Sequence, residues 1–147
     1  MTTTISGDDP SLPHAVAGFF FCPGTGRVLL HQRDGQTTIN PHKWAFFTGL
    51  VESDESPLAA FVREISEEIG YVLSSNLVEA LDTYLNEERQ TMRHVYCCRV
   101  KEEFLPEHVN EGAGVGWYLL SDAFHLDMTD LTRRDLEKFA ARLDRVV

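Results

Sequence analysis

Positive charge is scarce in this sequence, and so are the segments that direct a chain into or onto a membrane. Among 147 residues, 13 Lys and Arg stand against 23 Asp and Glu, giving a formal net charge of −10. Non-specific binding to nucleic acid or to an anionic membrane needs a basic face. No apolar run approaches the roughly 20 residues of a membrane span, and positions 1–10 carry no signal-peptide pattern. We therefore expect a cytoplasmic protein without nucleic-acid or membrane partners.

Paired cysteines and the histidine spacings of metal sites are also missing. The three cysteines, Cys22, Cys97 and Cys98, form no CxxC pair, and the six histidines show neither HxH nor HxxxH spacing. An odd, unpaired set of cysteines is typical of reduced thiols in a cytoplasmic protein. If Cys97 and Cys98 lie in a strand, their side chains point to opposite faces of the sheet. We expect buried thiols and no histidine metal site.

The sequence has no internal repeats, low-complexity tracts or Ser/Gly linkers, which predicts one domain over residues 1–147 with a flexible segment at 1–12. Apolar runs bounded by turn residues predict strands at 14–22, 27–33, 77–85, 93–100 and 117–120, and a short apolar segment at 44–47. Helical spacing predicts helices over 57–69 and from about 130 onward, and glycine and proline indicate a loop over 105–116. This order indicates an α/β or α+β fold with a sheet between helices.

The first predicted helix carries a cluster of acidic residues. At about 100° per residue, Glu64, Glu67 and Glu68 share one face, and the apolar residues share another face that we expect to enter the core. Carboxylates three and four positions apart repel unless a cation lies among them. Arg63 is one candidate cation, and a bound Mg²⁺ or Mn²⁺ is another, because both metals prefer oxygen ligands. The alternative is a solvated acidic face.

The spacing of the residues around this cluster is more specific than the cluster itself. Between positions 49 and 71 the sequence has Gly49, five residues, Glu55, seven residues, Arg63-Glu64-Ile65, one residue, Glu67-Glu68, one residue and Gly70-Tyr71. This order resembles the Nudix box, the signature of the Nudix hydrolase family. Because so many restricted positions agree at fixed distances, the resemblance is far more specific than a single short motif.

The resemblance implies a fold, an activity and a metal site. It implies an α/β/α sandwich with a mixed sheet, in which the box forms a loop, a helix and a second loop. It also implies a hydrolase for a small nucleotide, in which a nucleoside diphosphate is linked to another group, with Mg²⁺ or Mn²⁺ as cofactor. By position, the metal ligands would be Glu64, Glu67, Glu68 and the Gly49 carbonyl. The residues that hold the box in shape would be Arg63, Glu55 and Gly70.

Further candidate residues lie outside the box. Arg33, Arg89 and Arg93 can contact substrate phosphates, although Arg33 can equally form a surface ion pair with its neighbour Asp34. Aromatic side chains can stack on a nucleobase, and Trp44 and Phe46 are the candidates. Aromatics in a short strand are nevertheless more often part of a core.

Two glutamates compete for the role of general base. Glu67 belongs to the box, and Glu111 lies in a predicted loop, where some family members place this residue. A carboxylate that ligates a cation is held ionised and is a poorer proton acceptor than a free carboxylate nearby. We therefore favour Glu111 slightly over Glu67.

Two other functions are compatible with a fold of this type. One is an isomerase similar to isopentenyl diphosphate isomerase, which uses a catalytic cysteine, and Cys22 or Cys97 would be the candidate. The other is a module that senses nucleotides without catalysis, although such modules commonly lose the box acids that this chain keeps. The hydrolase is the main prediction, and a homodimer is a possible assembly.

Overall fold

A computed structural model describes residues 11–36, 41–110 and 112–145. In these residues the strands are β1 (His14–Cys22), β2 (Arg27–Gln32), β3 (Trp44–Ala45), β4 (Phe47–Leu50), β5 (Val78–Asn86), β6 (Thr91–Arg99) and β7 (Gly114–Leu119). The helices are α1 (Pro57–Ile69), α2 (Leu120–Ala123) and α3 (Asp130–Arg145), and a single 3₁₀ turn spans Ser75–Leu77.

The sheet is built around β1. It has the order β3-β2-β1-β6-β5, with β4 paired to β1 and β7 paired to β2. Strands β1 and β6 run parallel, whereas the other pairs are antiparallel, so the sheet is mixed. Both β2 and β4 pair with β1, β2 near its end at 20–22 and β4 near its start at 15–18. The sheet therefore opens between β2 and β4.

Two apolar cores cover the two faces of this sheet. Side chains of α1 pack on one face with alternate residues of β1, and side chains of α2 and α3 pack on the other. Cys98 lies in the first core and Cys97 in the second, which confirms that the two thiols point to opposite faces. A Cβ on Gly18 would lie 2.5 Å from Cζ of Phe61, so α1 approaches β1 closely where the side chain is absent. The layers are those of an α/β/α sandwich.

The ends of α1 follow directly from the sequence. The Ser56 hydroxyl accepts a hydrogen bond from the Ala59 N–H at 3.1 Å, and Pro57 occupies the first turn. Gly70 ends the helix with φ of 71°, a left-handed conformation that glycine adopts without steric cost, and its N–H donates to the Ser66 carbonyl. The predicted helix over 57–69 is therefore confirmed, with Gly70 as its final cap.

Several predicted boundaries are corrected. The apolar segment at 44–47 is two strands with different partners, because β3 pairs with β2 and β4 pairs with β1. Strand β7 begins at Gly114 rather than at 117, since its pairing with β2 extends to Gln32. Of the segment 1–12 predicted to be flexible, positions 1–10 lie outside the described residues, and Leu12 is buried.

Candidate active site

Strand β4 separates two clusters of polar side chains. Neighbouring residues of a strand point to opposite faces, so Thr48 faces α3 and Gly49 faces α1. A Cβ on Gly49 would overlap the carboxyl group of Glu64, so the missing side chain lets this glutamate lie directly against the strand. The residue predicted to supply a carbonyl ligand is thus in contact with a residue predicted to supply a carboxylate.

Arg63 is the centre of the cluster on the α1 face. Its Nε and Nη2 donate to the two carboxylate oxygens of Glu55 at 3.1 and 2.6 Å. Its Nη1 donates to Glu64 at 3.0 Å and to Glu67 at 3.3 Å, and Nη2 also donates to the Leu50 carbonyl at 3.1 Å. All three nitrogens of the guanidinium are therefore used within the box.

The charges in this cluster shift each other's protonation. The hydrogen bond from Arg63 lowers the pKa of Glu55, and the Glu52 N–H that donates to the same carboxylate lowers it further. The same contact with Glu55 raises the pKa of Arg63. Glu52 adds a fourth carboxylate at 3.9 Å from Nη2. One arginine therefore balances four glutamates, and the cluster keeps an excess of negative charge.

The other two acidic residues of α1 differ in their surroundings. The Glu67 side chain is 57% exposed, whereas Glu68 is only 7% exposed. Among the described residues, no three Asp, Glu, His or Cys side chains converge closely enough to hold a metal ion. Because Arg63 binds both Glu64 and Glu67, these carboxylates are directed toward the guanidinium. A metal ion bound by both carboxylates would have to replace their hydrogen bonds with Arg63.

The loop before β7 is tied to the end of α1. The Asn110 side chain donates to the Glu67 carbonyl at 2.7 Å, and its backbone N–H donates to the Glu68 carbonyl at 2.9 Å. Beyond it, the Ala113 N–H donates to the Gln32 carbonyl at 2.9 Å. Glu111, the favoured candidate for the general base, lies outside the described residues. The chain on both of its sides is held near the box and the end of β2.

A cleft of about 280 Å³ lies on the other side of β4. Its lining comes from β3, β4 and β6, from the residue after β2, from the end of β5 and the turn after it, and from the start of α3 with the residue before it. These residues are Arg33, Ala45, Thr48, Asn86, Glu88, Arg89, Arg93, Thr129, Asp130, Leu131 and Thr132. The structure thus brings together the three arginines that the sequence analysis proposed as phosphate contacts. In a chain with a net charge of −10, such a grouping is suited to an anionic ligand.

Arg93 is held in this cleft by a buried carboxylate. Its Nε donates to Asp135 at 3.0 Å, and the Asp135 side chain is 1% exposed. The Tyr84 hydroxyl donates to the other Asp135 oxygen at 2.9 Å. Burial raises the pKa of Asp135, while the charge of Arg93 and the Tyr84 hydrogen bond oppose this rise. Burial also raises the pKa of Tyr84 to about 12.

Of the two aromatic candidates for base stacking, the structure contradicts Phe46, whereas stacking by Trp44 stays a prediction. Phe46 is 1% exposed and stacks on Phe19 in the core of the α3 face, so its proposed contact with a nucleobase is wrong. The Trp44 ring packs edge-on against Tyr118, and Trp44 does not line the cleft beside β4. Aromatic residues in short apolar strands are more often part of the core than part of a binding site.

Sequence reasoning missed Asp135 and Tyr84, which lie behind Arg93, and it missed the polar cleft residues Asn86, Glu88, Thr129, Asp130 and Thr132. Asp135 precedes Leu136 in α3 and lies on the apolar side of that helix, together with Phe139. A single carboxylate within an apolar helical stripe is the signal that could have located it, because a buried charge needs a partner. The partner itself lies 42 positions away in the sequence, on β6.

Comparison with known proteins assigns the chain to a family. A family model described as NUDIX domain matches residues 12–142. The chain belongs to the NUDIX domain family. It is 26% identical over 136 residues to the dihydroneopterin triphosphate diphosphatase of Haemophilus influenzae, covering 82% of this chain and 83% of that protein.

Solved structures share the fold. The E. coli ORF135 protein is 27% identical, with a TM-score of 0.72 and coverage of 92% of this chain and 94% of that one. The NUDIX domain of NrtR from Shewanella oneidensis, complexed with ADP ribose, is 19% identical, with a TM-score of 0.75 and coverage of 93% and 94%. The predicted family, the fold class with its mixed sheet, and the enzyme class of a Nudix-type pyrophosphohydrolase are confirmed.

The surroundings of the cysteines argue against the isomerase alternative. Cys22, Cys97 and Cys98 are free and buried. Burial raises the pKa of Cys98 to about 12 and raises that of Cys97 as well. A thiol must be accessible and readily ionised to act as a nucleophile or an acid in catalysis.

None of the helices in the described part of the chain is long and apolar enough to span a membrane.

Proposed function

We propose that this protein is a divalent-metal-dependent hydrolase that cleaves the diphosphate link of a small nucleotide or nucleotide-like substrate. The observation that carries the proposal is the pair of clusters divided by β4. An excess of carboxylates surrounds Arg63 on one side, and three arginines line a cleft on the other. The first cluster needs a cation, and the second is suited to an anion.

The residue types of the box suit a magnesium or manganese ion, which would have to draw the carboxylates together from their present positions. Glu64, Glu67 and Glu68 supply hard carboxylate oxygens, and the Gly49 carbonyl would complete the protein ligands. The contact between Gly49 and Glu64 supports this set, because any larger residue at 49 would displace the glutamate. When bound, the ion would neutralise phosphate charge and make a water molecule more acidic. One protein group would then have to accept the proton of that water molecule, and others would have to orient the substrate.

The general base is Glu111 in our proposal, with Glu67 as the alternative. The hydrogen bonds of Asn110 to the end of α1, and of Ala113 to Gln32, support this choice because they anchor the chain on both sides of Glu111. Glu67 accepts a hydrogen bond from Arg63 at 3.3 Å, and a role as proton acceptor would have to replace that contact.

The arginines would bind and orient the substrate. Arg33, Arg89 and Arg93 line one cleft, so a phosphate or another oxyanion in this cleft could contact more than one of them. Arg63 has a different role, because its nitrogens are already bonded within the box. We assign Arg63 and Glu55 to holding the acidic residues in place, and Gly70 to ending the helix that presents them.

The nature of the substrate draws support from relatives. The Haemophilus influenzae relative is named as a diphosphatase for dihydroneopterin triphosphate, and the NrtR domain was solved with ADP ribose. Both ligands are small and carry linked phosphates. We infer a ligand of this class here. We also infer a cytoplasmic location, because the three buried cysteines are free thiols. Assembly as a homodimer stays a prediction.

A substrate panel with two site variants tests the proposal. Nucleoside triphosphates, dinucleotides and nucleotide sugars are incubated with the protein and Mg²⁺, and the products are separated by ion-exchange chromatography. We expect cleavage between two phosphates, no cleavage in excess EDTA, and a loss of about 10²–10⁴-fold in kcat for Glu111→Gln with metal affinity unchanged. Full turnover in EDTA would overturn the metal-dependent hydrolase. A kcat of Glu111→Gln within a few-fold of the wild type would return the role of base to Glu67.

A further inference from the structure

The guanidinium of Arg93 is only partly used by the protein. Arg93 is 9% exposed, and its Nε donates to Asp135. Among the described residues, neither Nη nitrogen of Arg93 donates a hydrogen bond, although this side chain lines the cleft. A guanidinium carries five N–H donors in one plane. One edge is therefore fixed by a carboxylate, and the donors on the side of the cleft are available to a ligand.

Asp135 is fixed as firmly as the arginine that it binds. One oxygen accepts from Arg93 and the other from the Tyr84 hydroxyl, and the side chain is 1% exposed. The guanidinium of Arg134 lies 3.8 Å from the centre of the Tyr84 ring, which restricts the ring from the solvent side. Tyr84 on β5, Arg93 on β6 and Asp135 on α3 are therefore joined by hydrogen bonds at one buried carboxylate. Such a carboxylate sets the rotamer and the plane of the guanidinium.

The position of Arg93 is separated from the metal-binding candidates by a strand. Thr48 lines the same cleft as Arg93, and Gly49, the next residue of β4, contacts Glu64 on the opposite face. A single phosphate group cannot contact both sets of side chains across a strand. An oxyanion bound by Arg93 must therefore belong to a part of the substrate beyond the group held at the box.

We propose that Asp135 is a positioning residue that fixes Arg93 so that its two Nη nitrogens bind a substrate oxyanion outside the scissile diphosphate link. This inference rests on the proposed function and adds a substrate class to it. The enzyme would prefer substrates whose second group carries a phosphate or a carboxylate over those whose second group is neutral. A planar, bidentate donor pair recognises both kinds of oxyanion.

The first test measures anion binding without catalysis. Inorganic pyrophosphate is titrated into the metal-free protein in EDTA by isothermal calorimetry, for the wild type, Asp135→Asn and Glu79→Gln. The last is a matched control, because Glu79 accepts from the Nε of Arg99 at the same 3.0 Å distance but on the exposed surface. We expect binding to weaken about tenfold in Asp135→Asn only, since a neutral amide holds the guanidinium edge more weakly than a carboxylate. No binding to the wild type, or equal binding to all three, would overturn the proposal.

The second test measures selectivity. KM and kcat are determined with Mg²⁺ for UDP-glucose and UDP-glucuronate, which differ by one carboxylate, and for a nucleoside triphosphate, which carries an additional phosphate. We expect Asp135→Asn to raise KM for the two substrates with the additional anion by a clearly larger factor than KM for UDP-glucose, and to change kcat less than KM. An effect on the triphosphate alone identifies phosphate as the preferred oxyanion, and one on the glucuronate alone identifies carboxylate. An equal effect on all three substrates would overturn the positioning role.

A third variant covers the case in which Asp135→Asn does not fold, as circular dichroism would show. Tyr84→Phe removes the hydroxyl that holds Asp135 and leaves the Arg93 pair in place. We expect weaker pyrophosphate binding than in the wild type, by a smaller factor than for Asp135→Asn, and unchanged binding would overturn the proposal. If no substrate in the panel is cleaved by the wild type, the proposed function fails, and the titration in EDTA still decides the role of Asp135.

Discussion

Two arginines on opposite sides of β4, Arg63 and Arg93, differ in the number of carboxylates that they contact. Arg63 is surrounded by four glutamates and donates from all three of its nitrogens, so its cluster still lacks positive charge. Arg93 has one buried carboxylate and leaves its two Nη nitrogens without a bond to the described residues. The first arginine neutralises part of an acidic cluster, and we propose the second as part of a site for an anion. The difference between the two arginines is the number of carboxylates from the described residues in direct contact, which is four for Arg63 and one for Arg93.

The largest effect is expected from removing a carboxylate beside Arg63. Glu64→Gln should lower kcat with Mg²⁺ by about 10²-fold or more, because a proposed metal ligand becomes neutral. The thermal stabilisation that Mg²⁺ gives to the wild type should disappear as well, since it depends on binding. Glu52→Gln serves as the control, because Glu52 is exposed and lies 3.9 Å from Arg63. If both variants keep the Mg²⁺-dependent rise in melting temperature, the acidic cluster is not a metal site.

Neighbouring substitutions on β4 should separate the two sides. Gly49→Ala places a Cβ against the Glu64 carboxyl, and we expect a loss of about tenfold to 10²-fold in kcat with weaker Mg²⁺ binding. Thr48→Ala changes only the cleft, so KM should rise by at most about tenfold, with Mg²⁺ binding as in the wild type. Steady-state kinetics and a metal titration measure both. If the two variants give the same pattern, β4 does not divide the site.

The site beside Arg63 was predictable because its residues are close together in the sequence. The box occupies positions 49–71, and its helix starts and ends where Pro57 and Gly70 indicate. Local spacing fixes which face of a helix a residue occupies. The spacing therefore groups Glu64 and Glu67 near Arg63, but it does not reveal that Glu68 is buried.

The site beside Arg93 could be predicted only in part. Its arginines were identified as candidates, but their carboxylate partner on α3 is 42 positions away from Arg93, and only the packing of α3 on the sheet brings the two together. The same packing placed Phe46 in the core rather than beside a base. Long-range pairing depends on strand order and helix packing, which the local pattern of residues does not specify.

Removing Arg63 should change stability rather than binding specificity. Arg63→Gln leaves Glu55, Glu64 and Glu67 without their shared counter-ion, so the melting temperature without metal should fall. Mg²⁺ should then raise the melting temperature by more than in the wild type, because the released carboxylates bind the ion without competition. Arg99→Gln, which breaks one exposed ion pair, should show neither effect. Differential scanning fluorimetry with and without Mg²⁺ makes the measurement. A smaller Mg²⁺ effect in Arg63→Gln would mean that Arg63 supports the ion instead of competing with it.

The smallest predicted effect concerns the protonation of His94, which lies near the acidic cluster around Arg63. The rings of His14 and His94 lie in hydrogen-bond contact at 2.8 Å, and the Thr83 hydroxyl lies 3.5 Å from His94. Glu52 and Glu55 line a cleft shared with both rings. Burial lowers the pKa of His94, and the nearby His14 lowers it further.

The sign of the pH dependence follows from this lowered pKa. Below the ordinary value of 6.5 the unfolded chain takes up a proton at His94 before the folded protein does, so the free energy of unfolding should decrease as the pH falls from about 6.5 through the folded pKa. Urea denaturation of the wild type and of His94→Gln between pH 7.5 and about 5 measures this slope. We expect the slope to be smaller in the variant, in which one of the two rings is absent. A wild-type protein that becomes more stable than His94→Gln as the pH falls would show that the carboxylates around Arg63 control this part of the structure too.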